Sequence, residues 1–491
     1  MKIEEVVLKE PFKRIKPSPM VDDTLGPSDG RLQRVSQGVE LYDIVSQDTF
    51  LREYFVTGHK IFSPAYYCDR IKQDDKGKSY IHFVERVGIP FQRVIVTKRL
   101  THLCGNNIEF KAPGASEDLL TEFKNGWIDK NMEVAWFESA KSAAITGDCA
   151  FCGYFDSEGK FRWKTFSYLK GDILYPHHNP VTEELEIFGR QYKQLDEDGN
   201  SVDFLDVYDN AYVTTYRRGG GGFWGNIKRK LWGSEWEQVG EPIAHGFPFI
   251  PVSYHRPMDS PIWSPVQDLI DKLEIAISQL AENNKTYAFR LLFLKGDNVS
   301  TVIDASGQPT AIVGDENSDA KFLEKSDPSS SFEAQIKYYL QWIFMGSFTV
   351  LPPEVKSGDL PGVAIKLLYS PAIEVAMEES QEWDSFIDSM VRIFKVGYGK
   401  EKKMSAQFDN MNVRGEIIPY VHQNDAEIIN NLNSSVLAGT LSARTAAGKH
   451  PEAAADEWDR IEEEKQMELS AAAEIADNNT NQAREAVNKE E

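Results

Sequence analysis

Cysteine is scarce. The 491 residues hold four, Cys68, Cys104, Cys149 and Cys152. So few argue against a disulfide scaffold and for a reducing compartment. No apolar run reaches the roughly 18 residues that a membrane span requires. The opening "MKIEEVVLKEPFKRIKPSPM" has no apolar core of signal-peptide length. These absences predict a protein that stays inside the cell that makes it, with no membrane partner. Positive charge is also in deficit, with 54 Lys+Arg against 76 Asp+Glu and a net charge of −22. A protein that reads DNA sequence carries a basic face. A protein that DNA only slides past does not need one, because tight phosphate contacts would hold the duplex back. No G-x-S-x-G, H-E-x-x-H or G-x-x-x-x-G-K-[ST] is present, and the nine histidines show no base–nucleophile spacing. The sequence therefore predicts no enzyme, no cofactor and no metal. No repeat at a solenoid period occurs.

What is present is patterned. Residues 80–111, including "RVIVTKRLTHL", alternate apolar and polar and read as strands. Residues 116–148 read as a helix capped by Ser116 and ended by Gly147, with Leu119, Leu120, Phe123, Trp127 and Met132 near helical spacing. From 149 to 255, strand-like segments alternate with the turn strings "DSEGK", "DEDGN" and "GGGG" and read as a β-meander. Residues 264–288 carry an apolar stripe of Val266, Leu269, Ile270, Leu273, Ile277 and Leu280. A β-rich stretch, 289–330, separates that helix from a second one over 331–350, with Phe332, Ile336, Tyr339, Leu340 and Ile343. A longer helix over 363–398 contains Pro371, which removes a hydrogen bond and kinks it. "AQFDN" and "GEIIPYVH" read as strands, and helices follow over about 425–438 and 441–475.

Two motifs have sharp readings that their context weakens. Cys149-x-x-Cys152 in "GDCAFCG" is half a zinc or redox site, but no second ligand pair has matching spacing and the motif opens a strand. "RRGGGGFWGNIKRK" (217–230) places Gly220, Gly222 and Gly225 in G-x-G-x-x-G register. No helix clearly begins there, so a glycine-rich hairpin tip fits better than a dinucleotide site. Its basic residues, Arg217, Arg218, Lys228, Arg229 and Lys230, are candidates for phosphate contact.

"LPPEVKSGDLPGVAIKLL" (351–368) interrupts two long helical runs with a small, polar, glycine-punctuated loop. Taken alone it is an ordinary surface turn. The order around it is more specific: helix, small β insertion, helix, glycine-rich loop, long helix with a proline, strands, terminal helices. Three strings carry that series. They are "FPFIPVSYHRPMDSPIWSPVQDLIDKLEIAISQLAENN", "SGDLPGVAIKLL" and "LAGTLSARTAAGKHPEAAADEWDRIEEEKQ". The last holds a Gly-x-x-Ser-x-x-Thr turn and an Asp-Glu-x-x-Arg-Ile-Glu-Glu-Glu run. The series resembles the portal (head-to-tail connector) protein of tailed double-stranded DNA bacteriophages, well over 250–470, in element order over 110–250, and loosely over 1–100.

The resemblance implies an α+β ring subunit with an α/β wing, a two-helix stem, a small β-rich clip between the stem helices, a long kinked helix and a helical C-terminal crown. It divides the chain into 1–255 (wing, N-terminal part), 256–288 (first stem helix), 289–330 (clip), 331–350 (second stem helix), 351–362 (tunnel loop), 363–424 (wing), 425–475 (crown) and 476–491 (disordered tail). The fold of 1–100 stays open. The implied assembly is a ring, a dodecamer in the virion, at one capsid vertex, through which double-stranded DNA is packaged and ejected without sequence readout. Its implied partners are the terminase, head-completion or adaptor proteins, and scaffolding and major capsid proteins, with host cytoplasm as the place of assembly. The tunnel loop would present Glu354, Val355, Lys356, Ser357, Gly358, Asp359 and Leu360 to DNA, with Lys356 touching phosphate. Stem packing and the subunit interface would involve Leu269, Leu273, Ile277, Ile336, Tyr339, Trp342 and Ile343. The aromatics Tyr338, Tyr339, Trp342 and Phe344 exceed what a two-helix hairpin needs, and neighbouring subunits would bury them. Another virion adaptor or capsid-associated protein, or a divergent nucleic-acid enzyme, are the alternatives.

Overall fold

The computed structural model of the chain describes residues 12–15, 42–73, 77–195, 199–218, 236–258, 260–287, 292–295, 300–303, 309–313, 319–322, 329–350, 362–421, 425–451, 453 and 457–471. Contacts divide the chain into two units, Met1–Leu351 with Pro371–Tyr420, and Pro352–Ser370 with Val421–Glu491. In chain order, β1 (Phe12–Ile15) pairs antiparallel with β2 (Tyr42–Val45), and α1 (Gln47–Tyr54) follows. β3 (Arg70–Gln73) and β4 (Ser79–His82) make a hairpin. Then come α2 (Phe91–Cys104), β5 (Glu109–Lys111), α3 (Glu117–Asp129) and α4 (Met132–Thr146).

Residues 91–104 are helical where alternation reads as strand. Their buried residues are Phe91, Gln92, Ile95, Val96, Leu100, His102 and Leu103, and the apolar ones among them recur every three to four positions. The β-branched residues Val94, Ile95, Val96, Thr97 and Thr101 favour strand only weakly, and packing overrides that preference. The helix expected over 116–148 is two helices. Ser116 caps α3 through the Leu119 amide. Asn131, at φ 53°, then turns the chain before α4. Asn tolerates the left-handed region better than most residues.

β6 (Cys149–Phe155) and β7 (Phe161–Phe166) form a hairpin, and β14 (Val252–His255) joins its other edge. Between them, β8 (Ile173–His178), β9 (Leu185–Leu195), β10 (Ser201–Tyr208) and β11 (Tyr212–Arg218) form the expected antiparallel meander, with β12 (Trp236–Gln238) and β13 (Ile243–Ala244) both on β11. The β14–β6–β7 sheet is buried on both faces. Cys149, Phe151 and Phe161 enter the larger core, while Ala150, Cys152 and Phe166 face the meander's core with Leu174 and Phe188.

The helix α5 (Gln267–Tyr287) follows. Next come β15 (Leu292–Lys295), β16 (Ser300–Ile303), β17 (Pro309–Val313) and β18 (Asp319–Phe322), and then α6 (Ser329–Gly346). β16 pairs with β17, and β15 with β18, so one strand pair nested in sequence within another lies between the two helices. α7 (Gly362–Glu401) carries Pro371 inside it, where the division into units falls. After α7 comes a short helix, α8 (Ser405–Asp409), where a strand is expected. The second expected strand shrinks to β19 (Arg414–Glu416), which pairs with β5.

The larger core is aromatic. Phe123 and Trp127 of α3 meet Phe394 of α7 at ring distances of 5.1 and 5.2 Å, and Phe110 of β5 lies 4.9 Å from Trp127. Each such burial contributes about 1.5–3 kcal/mol.

In the second unit, α9 (Asp425–Leu437) ends at Gly439, which has φ 70°. Ser442 then caps α10 (Ala443–Gly448) by accepting from the Thr445 amide at 3.2 Å. The Gly-x-x-Ser-x-x-Thr string is thus a helix stop followed by a helix start. The single helix expected over 441–475 is α10 and a separate α11, 457–471. The tail from 476 onward and residues 351–361 of the tunnel loop lie outside the described residues, while Gly362, expected as the loop's last residue, begins α7.

Gly126 of α3 faces the Tyr398 ring of α7, and a Cβ there would overlap it. Gly126→Ala should therefore lose about 1–3 kcal/mol through overpacking, although alanine is the better helix former. A denaturant titration of the variant checks this.

Candidate functional site

α5 has two differently used faces. Ile270 and Leu273, with Leu269 and Ile277 partly buried beside them, join the core that contains Ile336, Tyr339, Leu340 and Ile343 of α6. About a third of a turn round, at 3.6 residues per turn, Gln267, Asp271, Glu274, Ser278 and Glu282 form a buried polar row. Residues 59–60 and 82–92 lie on this row. Gln92 Nε2 donates to Gln267 Oε1 at 3.0 Å, and Lys60 Nζ to Asp271 Oδ2 at 2.7 Å. His59 Nδ1 lies 2.6 Å from Glu274 Oε1, which also accepts from the Ile89 amide at 2.8 Å. The Val87 amide donates to Ser278 Oγ at 2.9 Å. Glu282 accepts from the Glu85 amide at 3.2 Å and lies 2.6 Å from His82 Nε2. Buried carboxylates are costly unless paired and hydrogen-bonded. All three here are, so the row acts as a clamp and has no carboxylate left for acid–base work.

The clamp was not legible in the sequence. Its one signal is the polar spacing of four, three, four and four residues along an otherwise apolar helix. Burial pushes the Asp271 carboxyl up against the pull of Lys60. The His82 imidazole holds Glu282 below the usual carboxylate range.

Of the residues expected in stem packing, Leu273 and Ile343 are fully buried, and Leu269, Ile277, Ile336 and Tyr339 are partly buried around them. Trp342 behaves differently. With Tyr338 and Met345 it forms a stripe on the outer side of α6, at i, i+4 and i+7, exposed by 55% (Tyr338), 46% (Trp342) and 70% (Met345). The Tyr338 and Trp342 rings stack at 6.0 Å. Phe344 departs from expectation, because it is buried inside the chain against Phe91 at 6.2 Å. Only part of the aromatic excess is thus available to a neighbour. Arg217 and Arg218 are exposed at the end of β11, and Arg218 Nη1 lies 3.5 Å from Asp203 Oδ2. Lys228, Arg229, Lys230 and the tunnel-loop residues Glu354, Val355, Lys356, Ser357, Gly358, Asp359 and Leu360 lie outside the described residues.

The Cys-x-x-Cys pair resolves physically. An odd spacing along a strand sends the two side chains to opposite faces. Cys149 and Cys152 accordingly enter different cores. They cannot bind one ion together or bond to each other. Burial pushes Cys152 up to about 12 and Cys149 well above its ordinary value.

The family described as "Phage portal protein, SPP1 Gp6-like" matches residues 47–471. The chain belongs to this portal family. The portal family is a family of structural proteins, and this portal chain combines helices with several small sheets. The portal chain is similar to a chain in the neck of an empty gene transfer agent (GTA) particle computed with C6 symmetry, at 10% identity and a TM-score of 0.37, over 72% of this chain and 90% of that one. It is also similar to a chain of the virion of a native GTA particle, at 11% identity and a TM-score of 0.32, over 72% and 85%. No curated protein sequence matches it. Among the described residues no helix is long and apolar enough to cross a membrane.

Two outcomes follow. In a thiol-reagent titration of native protein, exposed Cys68 should react, while Cys149 and Cys152 should react only after unfolding. Glu282, held low by His82, stabilises the fold fully above the unfolded carboxylate value of about 4.3. That contribution is lost as pH falls through the lower folded value. Glu282→Gln should therefore show a lower unfolding midpoint at neutral pH and a shallower decline below about pH 4, measured by thermal melts across pH.

Proposed function

We propose that this portal-family chain is the repeating subunit of a ring at one capsid vertex, through whose axis double-stranded DNA passes into and out of the particle. The observation that carries the ring is the outer stripe of α6. Tyr338, Trp342 and Met345 are exposed side by side, while the opposite side of the same helix is seated on α5. A contiguous exposed aromatic stripe marks an interaction surface, and a ring contact is heterologous, one face meeting a different face of the next copy. A dodecamer is the expected number in the virion.

In this reading α5 and α6 are the stem, the strands between them are the clip, and residues 425–475 are the crown. Residues 351–362 turn at the narrow part of the channel. There Gly358 relaxes the backbone, Lys356 touches phosphate briefly, and Glu354 and Asp359 oppose lasting adhesion. The net charge of −22 suits a channel that lets DNA slide. The clip meets the terminase during packaging and head-completion proteins afterwards, and the wing meets scaffolding and major capsid proteins. Assembly takes place in host cytoplasm and the product resides in the virion.

Trp342→Asp places a charge in the proposed contact while leaving α6's inner side intact. Native mass spectrometry should find rings for the parent and monomers for the variant. Intact rings in the variant would overturn the assigned contact.

A further inference from the structure

We propose that two grooves flanking α2 are the complementary halves of the subunit contact, the acidic groove of one copy seating on the basic groove of the next. This rests on the ring reading above and names the partner surface which that reading leaves open. The first groove is lined by Leu103, Met258, Phe348 and Val375, with the carboxylates of Glu378, Glu379 and Glu382. Its one basic residue, Arg99, donates to Glu379 at 2.5 Å, and Glu378 is exposed in the same lining. The second groove is lined by Phe55, Val96 and Phe137, with Arg93 and Lys141, and no carboxylate lines it.

Leu100 lines both grooves. The other α2 residues of each groove lie about a third of a turn apart at 3.6 residues per turn. The grooves therefore open in different directions from one helix and cannot meet within a copy. A heterologous contact brings such faces together.

Both grooves carry apolar side chains that water should not wet. Met258 and Phe348 are exposed in the acidic groove, and Phe55 and Phe137 in the basic one. Phe348 also sits at φ 54°, in the left-handed region where a bulky residue is strained. It follows Met345 at the end of α6, so the exposed stripe of that helix runs directly into the acidic groove. The charges complement each other in sign, which steers and registers an interface more than it tightens it. For subunits of net charge −22, a local match of this kind is the part of the contact that selects orientation.

The test is a charge swap read by native mass spectrometry and sedimentation at one fixed salt concentration. Arg93→Glu with Lys141→Glu should raise the concentration needed for ring formation by roughly tenfold or more. Adding Glu378→Lys with Glu382→Lys should restore rings. Rings unchanged by the first pair, or not restored by the second, overturn the pairing. Unchanged rings that lose capsid proteins in a pull-down would assign the basic groove to those proteins and equally overturn it. A second measurement does not depend on charge tolerance: in a Cys68→Ser background, which removes the exposed native thiol, Lys141→Cys with Glu378→Cys in one chain should oxidise to a ladder of covalent oligomers. A mixture of the two single variants should give dimers only. No ladder from assembled rings overturns the pairing and leaves the ring standing, whereas a parent chain that stays monomeric overturns both.

Discussion

The helix α5 must satisfy two chemically different neighbours at once. Its apolar side is seated against α6, and its polar row takes up residues 59–60 and 82–92 through Asp271, Glu274, Ser278 and Glu282. A buried carboxylate without a donor costs several kcal/mol, so the row accepts one path of residues 82–92 and penalises others. That path delivers Pro90 and Phe91 to the start of α2 and brings Phe91 against Phe344. The orientation of α6 follows from the other side. With Ile343 turned inward, Tyr338, Trp342 and Met345 can only point outward.

The same economy recurs elsewhere in the first unit. The β14–β6–β7 sheet serves two cores because alternate residues of β6 are apolar on both faces. α2 buries one side and separates two grooves of opposite charge with the others. α7 closes the aromatic core from a third direction, with Phe394 touching Phe123, Trp127 and Phe161. Elements buried on several sides hold their exposed stripes in fixed orientations.

Long periodic segments were legible in advance. The stripe Leu269, Ile270, Leu273 and Ile277 announces α5, the turn strings announce the meander, and Ser116 and Gly147 bracket the α3–α4 region. Short or β-branched segments were not. Residues 91–104 alternate over a few positions and are helical over fourteen, because the partner surfaces of α2 reward burial every three to four residues. Asn131 breaks a continuous apolar pattern that local spacing cannot distinguish from one helix. The Cys-x-x-Cys string was ambiguous until the strand's pleat sent its sulfurs apart.

The sequence by itself determined the acidic balance, the absence of familiar catalytic motifs, the family, and the succession of the meander and the long helices after it, since these are written in composition and in long periodic patterns. Tertiary structure alone decided which aromatics remain outside, which carboxylates are clamped by His59, Lys60 and His82, and which charges gather in the two grooves beside α2. Those facts join residues about 200 positions apart, and no local pattern encodes which distant side chain will arrive to neutralise a buried charge.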